Sequence, residues 1–139
     1  MATTAITAAN LAAGTESANL GVFGAATNTA GAAATTGGSA VATTPTDGWV
    51  ISPPAGRSLS DGRLLLLLST DATLDTFTIV AGDRPPSPRA GLGADTIAVA
   101  ANNTHAYAPD VSRCMQDDGT IIVTCTDAGA NLAAVLMPR

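Results

Sequence analysis

At 139 residues the chain has the length of a single domain. Its net charge is −5, and its six basic residues are all Arg with no Lys, which argues against the basic patch that nucleic-acid phosphates or an anionic membrane surface require. Only 12% of the residues are charged and Glu occurs once, as Glu16, so the long polar side chains that coat the wet face of an amphipathic helix are nearly missing. Thr, Val, Ile, Asp and Gly are suited instead to strands and tight turns.

Composition divides the chain near residue 46. Of the first 48 residues, 33 are Ala, Thr or Gly, and the only charged ones are Glu16 and Asp47. Large apolar residues are sparse there: Ile6, Leu11, Leu20, Val22, Phe23 and Val41. The stretch 24–44 is of low complexity and keeps neither a period of 2 nor one of 3.6. A short helical turn is expected at Thr7–Ala13, capped by Thr7 and stopped by Gly14. Ordering some 45 residues costs about 1–2 kcal/mol each, whereas half a dozen buried apolar side chains return about 2 kcal/mol each. Residues 1–45 are therefore expected to build no core of their own. They are read as an extended arm that lies along another protein and pairs its backbone with exposed strand edges, with Ile6, Leu11, Leu20, Val22 and Phe23 as anchors.

Residues 46–139 read as a β-domain. Trp49–Ser52 opens it and is ended by Pro53 and Pro54. Arg63–Ser69 follows the turn Ser60-Asp61-Gly62 and is apolar throughout, as a strand covered on both faces is. Asp75–Ala81 alternates, with Phe77, Ile79 and Ala81 on one face. Residues 82–93, with three Pro and two Arg, form a long surface loop. Thr96–Ala101 turns Ile97 and Val99 inward, and Asn102-Asn103 reverses the chain. His105–Ala108 is a brief run closed by Pro109. Thr120–Thr126 leaves the Asp117-Asp118-Gly119 turn with Ile121, Val123 and Cys125 on one face, and Leu132–Met137 is the last strand. Seven or eight short strands in roughly 90 residues imply an all-β fold: a compact antiparallel β-sandwich or jelly-roll-like barrel with an extended N-terminal arm.

Chemistry-bearing patterns are thin. His105 is the only histidine, and no nucleophile elbow accompanies it, since Gly37-Gly38-Ser39-Ala40 lacks the second flanking glycine. His105 is therefore read as a strand or edge residue. Cys114 and Cys125 have no metal-ligand spacing; they flank one predicted hairpin and stand either as a disulfide or as two buried thiols. Asp117-Asp118-Gly119 lacks the alternating acidic ligands and closing Glu of a calcium loop, and a hairpin turn is the simpler reading. The chain is expected to be no enzyme and to hold no cofactor and no metal. No apolar run approaches the roughly 20 residues of a membrane helix, and the first basic residue, Arg57, comes too late for a secretory leader.

The order of the C-terminal motifs carries a resemblance. Ser60-Asp61-Gly62-Arg63-Leu64-Leu65 is followed by Asp75-Thr76-Phe77-Thr78-Ile79, Thr96-Ile97-Ala98-Val99 and Tyr107-Ala108-Pro109. Gly119-Thr120-Ile121-Ile122-Val123-Thr124 and Ala133-Ala134-Val135-Leu136-Met137-Pro138 complete the series. With Thr3-Thr4-Ala5-Ile6-Thr7 at the start, this order resembles the small capsid decoration (head accessory or cement) proteins of tailed phages. The resemblance spans residues 58–139 and the N-terminal patch; the arm at 8–45 is longer and richer in Ala and Gly than the family's. It implies a β-sandwich or β-tulip-like fold on the outer face of a virion, made in the host cytoplasm. It also implies the major capsid protein and further copies of the chain, as a homotrimer, for partners, with neither nucleic acid nor membrane among them. A tail or head–tail joining protein and a cell-surface or secreted adhesion module are the alternatives.

Overall fold

The run Leu64–Leu68 sets the architecture, because its alternate leucines go to opposite faces of one strand. The computed structural model of the chain describes residues 3–7, 9–10, 35–36, 40–41, 48–89, 91–126 and 129–137. Its strands are β1 (Thr3–Thr7), β2 (Ala9–Asn10), β3 (Thr35–Thr36), β4 (Ala40–Val41), β5 (Gly48–Ser52), β6 (Arg63–Ser69) and β7 (Asp75–Ile79). They continue with β8 (Asp95–Val99), β9 (Thr104–Tyr107), β10 (Ile121–Thr124) and β11 (Asn131–Met137), and the single-turn helix α1 (Val111–Cys114) lies between β9 and β10.

The strands make two sheets. One has the order β3-β1-β5-β10-β7-β8 and the other β2-β11-β6-β9, with β4 also pairing β11. Pairings among β5 to β11 are antiparallel throughout, and the long register of β6 on β11 runs from Arg63↔Met137 to Ser69↔Asn131. The fold is all-β, as expected, and it is a sandwich of two open sheets, not a closed barrel.

One apolar cluster fills the space between the sheets. Trp49 and Ile51 of β5, Phe77 and Ile79 of β7, Val99 of β8 and Ile121 and Val123 of β10 meet Leu64, Leu66 and Leu68 of β6 and Leu132, Ala134 and Leu136 of β11. Trp49 and Phe77 stack with ring centroids 6.0 Å apart, an offset arrangement that adds to the area buried. Leu59 and Cys114, both fully buried, come from a 3-10 turn at Leu59–Asp61 and from α1. The 3-10 turn is held by a capping box in which Ser58 and Asp61 satisfy each other's backbone donors.

Three expectations are refined. Leu64, Leu66 and Leu68 are buried, but Leu65 and Leu67 on the other face of β6 are only half-buried, so this strand is not covered equally on both sides. At Thr7–Ala13, Thr7 belongs to β1 and Ala9–Asn10 to β2; β-branched and small residues take the pairing offered by neighbouring edges instead of a helical turn. The rest of that stretch lies outside the described residues. The surface loop 82–93 contains a 3-10 turn at Ser87–Arg89.

Candidate interaction surface

Without the N-terminal strands, β5 and β11 would each end their sheet with a bare row of backbone donors and acceptors, on the same side of the sandwich. Such edges attract other strands. In the fold β1 runs parallel to β5, from Thr3↔Gly48 to Thr7↔Ser52, and also touches β11. β3 closes the far side of β1 at Ile6↔Thr35 and Thr7↔Thr36. One residue beyond β1 the chain has changed sheets: β2 lies parallel to β11 at Ala9↔Val135 and Leu136↔Asn10, and β4 lies antiparallel to it at Val41↔Asn131 and Ala40↔Leu132. The described parts of the N-terminal segment are thus strands laid over both edges.

Of the expected anchors, Ile6 sits in β1 beside Ile51 of β5. Leu11, Leu20, Val22 and Phe23 lie outside the described residues.

The opposite side of the sandwich is closed by side chains. Arg113 of α1 meets Asp95 of β8 with Nη1 2.6 Å from Oδ1, both side chains largely covered. The Tyr107 hydroxyl of β9 donates to Asp95 Oδ2 at 2.9 Å. Arg113 also donates from Nε and Nη2 to the Gly93 carbonyl and from Nη2 to that of Leu92. Burial above all, then the hydrogen bond to Asp95 and its negative charge, pushes the Tyr107 hydroxyl above its usual value. The Cys114 thiol is pushed up too, by burial first and then by Asp95. Spacing in the sequence gave no sign of this Asp95–Tyr107–Arg113 cluster, since its members lie on three elements joined only by the packing of two sheets.

A surface cleft of about 420 Å³ opens between the 3-10 turn at Leu59–Asp61 and α1, lined by Ser60, Arg63, Leu64, Asp110, Val111 and Ser112 among others. His105 is exposed on β9, an edge strand. Cys114 and Cys125 are both buried and are not joined in a disulfide. Asp118 Oδ1 accepts from the Thr120 amide at 2.9 Å and from its hydroxyl at 2.7 Å. Gly119, at φ 81°, supplies the left-handed residue of that turn. Asp117-Asp118-Gly119 is therefore a turn built for its backbone. Among the described residues no group of three or more His, Cys, Asp and Glu could hold a metal ion, and no helix is long and apolar enough to cross a membrane.

No family model, no curated protein and no solved structure matches this chain.

Proposed function

We propose that the chain is a structural virion protein that binds the outer surface of a phage capsid and reinforces it, with its N-terminal segment pairing with capsid or with neighbouring subunits. The observation that carries this reading is a division of labour. Among the residues whose burial is described, the clustered core runs from Trp49 to Leu136, while the described part of the N-terminal segment contributes strands along two sheet edges. Backbone pairing is a general way for one chain to grip another. Repetition over a lattice turns many weak contacts into firm attachment. The ordered motifs from Ser60 to Pro138 and their likeness to decoration proteins supply the capsid as the surface, and a trimer of the chain as the bound form.

The test is sedimentation of the purified chain with empty capsid shells. Saturable co-sedimentation at a fixed ratio to the major capsid protein is expected, with release of the shell's weakest vertices delayed on heating. A chain that stays in the supernatant across the titration sinks the capsid reading.

A further inference from the structure

We infer that β1 and β2 form an exchangeable unit: in the self-associated protein, Thr3–Asn10 of one copy occupies the β5 and β11 edges of a second copy, in the register described within a single chain. The inference deepens the function proposed above, from which it takes the self-association, and it names the acceptor and the donor.

Three observations carry it. First, β5 and β11 each turn one edge to the same side of the sandwich, and among the described residues the strands that pair there come from the N-terminal segment. The two acceptor strands, Gly48–Ser52 and Asn131–Met137, lie in the chain's later part, whichever copy supplies the donor. Second, the donor is gripped as a strand. Its register on β5 is continuous over five residues and its pairing with β11 follows after a single residue. A backbone ladder of this kind is the same whether the strand arrives in cis or in trans.

Third, connectivity does not tie the donor to its own acceptor. The stretch 11–34 separates β2 from β3 and can span up to about 80 Å when extended. A folded chain of this length has a radius of gyration of only about 14 Å. The stretch is dominated by Ala, Thr and Gly with few large side chains. Lengthening a connection adds little to the entropy cost of closing it. Exchange of an identical element is a low-cost route to oligomers for the same reason, because every contact broken in cis is remade in trans. The parallel pairing also fits, because a parallel strand needs a long crossover and cannot be delivered by a tight hairpin.

The experiment uses full-length chains in which Cys114 and Cys125 are replaced by Ala. One preparation carries Ala5→Cys and a second carries Val50→Cys, positions that stand opposite each other in the β1–β5 register. The two are mixed at high concentration, incubated so that strands can exchange, and oxidised with copper–phenanthroline. A disulfide between them can form only in trans. The expected result is a covalent heterodimer several-fold more abundant than with Ala98→Cys, on the far edge strand β8, in place of Val50→Cys. Thr7→Cys with Ser52→Cys repeats the test at a second registered pair, in case one variant folds poorly by circular dichroism. A yield no higher than the Ala98→Cys control at both pairs overturns exchange, as does a doubly substituted Ala5→Cys/Val50→Cys chain that cross-links only within itself. Capsid shells are absent from the assay. Trans cross-linking without co-sedimentation would therefore keep the exchange and sink the capsid reading, and the reverse outcome would do the opposite.

Discussion

The Tyr107 hydroxyl, on the outermost strand of one sheet, donates to Asp95 Oδ2, on the outermost strand of the other, at 2.9 Å. This bond spans the side of the sandwich that the N-terminal strands do not reach, and Arg113 secures the second oxygen of the same carboxylate. A hydrogen bond to a charged group contributes about 1.5–3 kcal/mol, so Tyr107→Phe should lower stability by about that much in urea unfolding followed by Trp49 fluorescence. Arg113→Ala should cost more, about 3 kcal/mol, because it leaves a largely covered carboxylate without its cation. A phenylalanine variant as stable as the parent would mean that the two sheets are held on this side by packing alone.

Alkali should open the same region. The ordinary values are 10.0 for the tyrosine and 9.0 for the thiol, and both Tyr107 and Cys114 lie above them in the fold. A group whose folded value is raised keeps its full contribution to stability below the unfolded value and loses it as pH rises through the folded one. Stability should therefore hold up to about pH 9 and fall beyond it, first through Cys114 and then through Tyr107. Urea midpoints taken stepwise from pH 7 to 11 check this. Cys114→Ala should flatten the earlier part of the fall and Tyr107→Phe the later part; an unchanged slope in both would remove these two groups as its cause.

The β-domain could be read from the chain because its signals are local. Phe77 and Ile79 alternate with threonines, Ile121 and Val123 alternate with Ile122 and Thr124, and turns such as Asp117-Asp118-Gly119 mark the ends; β6 begins and ends at the expected residues. The single-turn α1 and the 3-10 turn at Leu59–Asp61 are too short to show a period, although each sends a buried side chain to the core. β1 and β2 were hidden for a different reason. Thr3–Thr7 has little to bury, and its place is fixed by the free edge of β5, more than forty residues further on. Strand pairing of this range leaves no periodic trace in either partner. Among the expected anchors, Ile6 alone falls within the described residues. The Asp95–Tyr107–Arg113 cluster is equally non-local.

Gly82 occupies a place that no side chain fits. Its amide donates to the Arg113 carbonyl at 2.9 Å, and a Cβ there would press on the Met115 carbonyl and crowd that of Arg113. These are backbone atoms at the end of α1 and cannot rotate away. Gly82→Ala should thus displace α1 from the sheet at a cost of about 1–3 kcal/mol. Faster amide hydrogen exchange at Cys114 and Met115 is the expected signature, and exchange rates equal to those of the parent would show that the backbone yields freely here.

Neighbouring leucines of β6 offer the sharpest check on the two-sheet core. Leu66 is fully buried between the sheets, whereas Leu67 faces the other way and is half-buried. Truncating a buried leucine removes its transfer free energy and leaves a cavity that a sandwich pinned by two ladders cannot collapse, so Leu66→Ala should cost about 3–4 kcal/mol. Leu67→Ala gives up only part of its burial and opens no internal cavity, for a loss of about 1 kcal/mol. Against a total stability of about 5–15 kcal/mol, the first variant should move the urea midpoint far and the second slightly, with Trp49 reporting both because it lies in the same cluster as Leu66. Equal losses at the two positions would mean that β6 is covered alike on both faces, and the outer face of the five-stranded sheet would then have to be packed as tightly as the inner one.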